Sequence, residues 1–80
     1  MPRITLRYYA SLRDQAGTDA ETVDSHAADV GGLYEECVAR LGLRWPRAKL
    51  RVAVNGEFAD WSRPLDTGDD VVFIPPVSGG

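Results

Sequence analysis

The chain has 80 residues, 44% hydrophobic and 26% charged, which suffices for one small domain and excludes a second core. The composition is that of a globular protein rather than a disordered one, and the net charge of −3 argues against nucleic acid as a main partner. The lone Cys37 excludes an internal disulfide and has no metal-ligand neighbours at usable spacing. Met1-Pro2-Arg3-Ile4 lacks a signal-peptide core and no apolar run approaches membrane-spanning length. A cytoplasmic setting with no membrane partner and no bound metal is therefore expected.

In chain order, Arg3-Ile4-Thr5-Leu6-Arg7-Tyr8-Tyr9 alternates with period two, placing Ile4, Leu6 and Tyr8 on one face and Arg7 and Tyr9 on the other. Ser11 is the expected N-cap of a short helix over Leu12–Ala16, stopped by Gly17. Glu21–Asp24 reads as a short edge strand. The clearest helix spans Val30 to Leu41, with Val30, Leu33, Tyr34, Cys37, Val38 and Leu41 in a single apolar stripe. Asp29 caps it and Gly42 closes it, while Gly31 and Gly32 weaken its first turn. Arg44-Trp45-Pro46-Arg47 is an irregular link. Arg51–Val54 is a strand entering the hairpin signal Asn55-Gly56, with Glu57–Asp60 returning. A turn-rich connection, Arg63–Asp69, leads to a last strand, Asp70–Ile74. This order, with one major helix, predicts an α+β fold: a mixed five-stranded sheet on that helix, a roll of the β-grasp kind. Residues 1–74 form the domain and residues 75–80 a flexible tail ending in Gly-Gly.

The tail invites two readings. Pro75 and Pro76 hold it extended, and Gly79 and Gly80 let its backbone approach another surface closely. At up to ~3.5 Å per residue it carries a terminal carboxylate roughly 20 Å from the domain, as a group offered to another protein's active site would need. The plain alternative is a frayed end. Elsewhere, Cys37 lies on the sheet-facing stripe and reads as structural, His26 as solvated, and Asp66, Asp69 and Asp70 as turn chemistry beside Gly68. No catalytic triad, Walker loop or dinucleotide fingerprint is present. If Tyr8, Val71 and Phe73 face the helix, then Tyr9, Val72 and Ile74 face away, with Phe58 joining them from a neighbouring strand. Such an apolar patch on an open sheet face marks a partner surface.

Over essentially its whole length the chain resembles the small subunits of molybdopterin synthase, which are ubiquitin-like sulfur carriers. The resemblance rests on Tyr8-Tyr9-Ala10-Ser11-Leu12-Arg13-Asp14 with Gly17, then Ala53-Val54-Asn55, Pro64-Leu65 and Gly68-Asp69-Asp70-Val71. It ends in Phe73-Ile74-Pro75-Pro76-Val77-Ser78-Gly79-Gly80, which is more specific than the Gly-Gly end that all ubiquitin-like carriers share. The chain departs from the pattern at Asp29-Val30-Gly31-Gly32, where a Thr cap and stronger helix formers are usual, and at Ile74, where an aromatic is common.

The resemblance implies a ubiquitin-like β-grasp fold and a two-stage role. A ubiquitin-activating-type adenylyltransferase uses ATP to adenylate the Gly80 carboxylate, and a sulfur donor protein then displaces AMP to leave a thiocarboxylate. The tail Pro75, Pro76, Val77, Ser78 and Gly79 next threads into the large synthase subunit, where the Gly80 sulfur passes to cyclic pyranopterin monophosphate. Acid–base residues belong to the large subunit, no cofactor is permanently bound, and two carriers flank a large-subunit dimer in a heterotetramer. Tyr9, Arg13, Phe58 and Ile74 match positions that contact the large subunit or the activating enzyme. Competing readings are a sulfur carrier for thiamine, cysteine or tungsten-cofactor synthesis, a modifier joined to lysines through Gly80, and a non-covalent binding module.

Overall fold

Period-two alternation at the N-terminus forms strand β1 (Arg3–Tyr8), in which Ile4, Leu6 and Tyr8 are buried and Arg3 and Arg7 exposed. The computed structural model describes residues 2–76. After β1 come the short helix α1 (Ala10–Ala16), strand β2 (Ala20–Asp24), the long helix α2 (Val30–Leu41) and a 3-10 turn (Arg47–Lys49). Strands β3 (Arg51–Val54), β4 (Glu57–Ala59) and β5 (Asp70–Ile74) complete the order. They make one sheet, β2-β1-β5-β3-β4, in which β1 and β5 run parallel and every other pair antiparallel. The two ends of the chain thus meet at the centre of the sheet. This is the expected β-grasp: a mixed five-stranded sheet packed on one major helix.

Helix α2 has the predicted bounds. The Asp29 side chain accepts from the Gly32 N–H at 2.8 Å, and Gly42, at φ 70°, ends the helix in the left-handed region that suits a residue without a Cβ. Gly31 weakens the helix for a packing reason. A Cβ there would lie 3.2 Å from the Trp61 carbonyl oxygen, to which the Gly31 N–H donates at 2.7 Å, and would displace the Arg47 guanidinium. The core lies between α2 and the sheet, with Tyr34, Phe73 and Trp61 at one end: the Tyr34 and Phe73 rings meet edge-on at 5.0 Å and Trp61 stacks on Phe73 at 6.0 Å.

Two expectations are corrected. Ser11 does not cap α1. The helix starts at Ala10, Tyr9 is the capping residue without a side-chain bond, and the Ser11 hydroxyl instead accepts from the Trp45 indole at 2.8 Å. A tertiary partner claimed the hydroxyl that local capping would have used. The returning hairpin strand ends at Ala59, one residue early, because Asp60 pairs across no neighbour. The hairpin turn itself is as expected, with φ 54° at Asn55 and 86° at Gly56.

Polar groups inside the fold are paired. The Tyr8 hydroxyl donates to Glu21 at 2.7 Å and lies 4.0 Å from the Cys37 sulfur, while Arg40 holds both Glu21 oxygens. Burial pushes the Cys37 thiol up, consistent with a structural cysteine. Burial would raise Glu21 too, but hydrogen bonds from Arg40 and Tyr8 and the charge of Arg40 outweigh it and hold the carboxyl below its usual range. His26 is exposed.

Asp69 is 5% exposed and accepts from Asn55 Nδ2, Arg63 Nη1 and the Asp66 N–H, so the three-carboxylate turn is local architecture. Among the described residues no group of His, Cys, Asp and Glu could hold a metal ion. Burial raises the Asp69 pKa, yet those three donors and the Arg63 charge carry it below the ordinary carboxylate range. A depressed folded-state pKa means the stabilisation is present above the unfolded value of ~3.9 and is lost as pH falls through the folded value. Asp69→Ala is expected to cost ~2 kcal/mol in urea unfolding at neutral pH, with the gap to the parent chain narrowing in acid. An equal gap at neutral and strongly acidic pH would contradict the ionised-acceptor role.

Candidate functional site at the exit of the last strand

Strand β5 brings the chain out of the sheet beside the turn from β1 into α1. Phe73 pairs with Tyr8, so Tyr9 and Ile74 are the next residues on each strand as the two leave the sheet side by side. Ala10, an exposed residue, makes the turn at φ 52°, a left-handed conformation that costs an L-residue about 1–2 kcal/mol. The chain then passes through Pro75, which is buried, to Pro76, which is exposed. Tyr9, Ala10, Ser11, Trp45, Ile74, Pro75 and Pro76 line a mainly apolar groove of about 570 Å³. Tyr9 is 54% exposed and extends the apolar surface of this groove.

The open face of the sheet continues this surface. Arg7, Val72, Ala53 and Phe58 stand in one row across β1, β5, β3 and β4, and Phe58 is 68% exposed. Val72 and Ile74 are half-buried, because their neighbours on the face partly shield them. Arg51 pairs with Ile74 across the strands, and its guanidinium sits over the Phe58 ring at 5.2 Å. Arg51 therefore joins the groove to Phe58. Beside the row, Arg7 Nε contacts both oxygens of Asp70 at 2.9 Å.

Of the residues expected to meet a partner, Tyr9 and Ile74 share the groove and Phe58 lies on the same face through Arg51. Arg13 stands apart, in a depression with Asp14, Gly17, Thr18 and Asp19, its Nε 3.6 Å from the Asp19 carboxylate. Pro75 and Pro76 line the groove, whereas Val77, Ser78, Gly79 and Gly80 lie outside the described residues. Trp45 and Arg51 were not anticipated. Trp45 sits in the link before the 3-10 turn, and its indole N–H reaches Ser11 on α1 while its carbonyl accepts from the Tyr34 hydroxyl. A tryptophan next to a proline in an otherwise polar link was the available signal. No helix among the described residues is long and apolar enough to cross a membrane.

The profile of the ThiS family matches residues 6–80. The chain is 37% identical over 81 aligned residues to the molybdopterin synthase sulfur carrier subunit of Escherichia coli K12, covering 96% of this chain and 99% of that one. Among solved structures, SAMP1 of Haloferax volcanii matches with a TM-score of 0.78 and 27% identity, over 98% of this chain and 99% of that one. The Helicobacter pylori complex of subunits 1 and 2 of molybdopterin-converting factor contains a chain of the same fold. Its TM-score is 0.68 at 23% identity, over 98% of this chain and 99% of that one.

Proposed function

The chain belongs to the ThiS family, and from that premise we propose that it is the sulfur-carrier subunit of a molybdopterin synthase, working through the Gly80 carboxyl group. One observation carries the reading. The central strand β5 leaves the sheet through buried Pro75 at an exposed apolar groove, and the sequence beyond is Val77-Ser78-Gly79-Gly80. That supports a reading in which the groove docks a partner and the residues that follow Pro76 in the sequence carry the reactive group.

The chemistry follows from the weakness of a carboxylate as an electrophile. A partner of the ubiquitin-activating type would join the Gly80 carboxylate to the α-phosphate of ATP, releasing pyrophosphate. The terminal sulfur of a persulfide on a sulfur donor protein would then attack the acyl carbon and expel AMP. A thiol would cleave the resulting acyl disulfide, forming a disulfide with the donor and leaving the thiocarboxylate. Bound to the large synthase subunit, that terminal sulfur would pass to cyclic pyranopterin monophosphate. This chain supplies docking, reach and the sulfur; the acid–base groups and the substrate pocket would come from the large subunit.

The test is intact-mass analysis of protein isolated with its own activating enzyme. A fraction should carry one sulfur in place of one oxygen, localised to Gly80, and a uniformly unmodified carboxylate under those conditions would sink the proposal. The docking face has its own test. Phe58→Asp should leave the unfolding midpoint nearly unchanged, because Phe58 is 68% exposed, yet weaken large-subunit binding by roughly 30-fold or more, the scale of an aromatic anchor. Unaltered affinity by calorimetry would remove Phe58 from the interface.

A second reading is favoured by the likeness to SAMP1, whose full name is small archaeal modifier protein 1. In that reading Gly80 would be joined to lysines of other proteins, and isopeptide conjugates in cell extract would distinguish it. A carrier for another sulfur pathway would load in the same way but fail to form a stable complex with a molybdopterin synthase large subunit.

A further inference from the structure

Four of the nine cations of the chain, Arg44, Arg47, Lys49 and Arg51, fall in eight consecutive residues that contain no acid, although the net charge is −3. Segment 44–51 starts at the groove, where Trp45 forms part of the wall, and ends on the open face, where Arg51 stands beside Ile74 and over Phe58. All four residues are exposed. Among the described residues no carboxylate lies within 4.0 Å of Arg44, Lys49 or Arg51, and Arg47 has only a loose contact with Glu35 at 3.8 Å. The other five arginines, Arg3, Arg7, Arg13, Arg40 and Arg63, all find a carboxylate, Arg13 only loosely at 3.6 Å.

Two of the four are also held in place. The Arg47 guanidinium lies 5.6 Å from the Trp61 ring centroid and that of Arg51 5.2 Å from Phe58. The 3-10 turn fixes the backbone between them, with Lys49 N–H donating to Pro46 and Leu50 N–H to Arg47. Eight residues span at most ~25 Å, so neighbouring charges sit within about a Debye length of one another and their fields add. A basic stripe on an otherwise acidic molecule gives it a dipole that orients it as it approaches a partner.

We infer that the stripe Arg44–Arg51 is the electrostatic border of the docking face and receives an acidic surface of the molybdopterin synthase large subunit, setting the rate and register of association. The inference rests on the sulfur-carrier reading for the identity of its partner. Its placement follows from continuity with the Tyr9–Ile74 groove and from the positive charge of Arg44, Lys49 and Arg51, which no carboxylate of the described residues meets. Border charges act mainly on association, while the buried apolar anchors govern dissociation.

Stopped-flow association of the full-length chain with the large subunit of the same organism, at about 20 mM and about 300 mM salt, tests it. The parent chain should associate roughly tenfold or more slowly at the higher salt. Arg44→Glu/Lys49→Glu should slow association ~10–100-fold at the lower salt, with dissociation little changed and Arg44→Gln/Lys49→Gln falling between. Neither side chain makes a hydrogen bond among the described residues, so both variants should melt with the parent; circular dichroism checks this. Association of the reversal variant at the parent rate, with the same salt dependence, overturns the stripe and leaves the sulfur-carrier reading standing. Failure of the parent chain to form any complex overturns both. Salt-dependent binding of a short single-stranded RNA that the reversal abolishes, with large-subunit association unaffected, overturns it in favour of a nucleic acid.

Discussion

Removal of Gly79 and Gly80 is expected to leave the domain folded and to abolish sulfur loading completely. The domain should tolerate the loss because, among the described residues, the core lies between Ile4 and Phe73 and the last buried residue is Pro75. A shift of the melting midpoint below ~2 °C is anticipated, since each kcal/mol moves a domain of this size by ~4–8 °C. Loading should vanish because the new terminal carboxyl group, on Ser78, stops two residues, up to ~7 Å, short of the position Gly80 would reach. Gly79→Val separates reach from chemistry. The Gly80 carboxylate is then kept, but a β-branched side chain would stand where the proposed role has a backbone pass closely through a partner's channel. Adenylation followed by pyrophosphate release should fall by about two orders of magnitude or more, the scale of a misplaced reacting group. Normal thiocarboxylate formation by Gly79→Val would refute the narrow channel, and loading of the truncated chain would refute the role of Gly80.

The second large effect concerns stability. Phe73→Ala is expected to cost ~3–5 kcal/mol. The ring is fully buried, meets Tyr34 edge-on at 5.0 Å and stacks on Trp61 at 6.0 Å, so its loss opens a cavity at one end of the core and removes two aromatic contacts. A domain of this length holds only ~5–10 kcal/mol in all, so the midpoint should fall by ~20 °C or more and the chain should be partly unfolded at 37 °C. Val72, the preceding residue, points to the open face and is half-buried. Val72→Ala should cost ~1 kcal/mol or less. Comparable losses for the two substitutions in urea unfolding would contradict the alternation that places one residue in the core and the other on the open face.

The residues proposed for docking divide by how they could be found. Tyr9, Phe58 and Ile74 follow from period-two alternation once their strands are placed, and the structure puts them on the open side. Trp45 and Arg51 do not. Trp45 reaches the groove only because its indole bonds to Ser11, 34 residues away, and Arg51 matters only because β3 pairs with both β5 and β4. Ser11 shows the same limit from the other side: a serine before a helical run favours capping, yet a distant tryptophan took its hydroxyl.

Local chemistry in the chain settled the bounds of α2 from Asp29 to Gly42, the Asn55-Gly56 turn, and the inward and outward faces of β1 and β5, because capping, turn and alternation act between residues a few positions apart. The family and the specific Pro-Pro-Val-Ser-Gly-Gly ending were also legible there. Tertiary structure alone decided that β1 and β5 lie parallel at the centre, that Gly31 makes room beside Arg47 and Trp61, and that the link through Trp45 walls a groove at the exit of β5. Those features depend on contacts between segments far apart in the chain, whose free energy comes from burying surface jointly and leaves no periodic trace in either segment by itself.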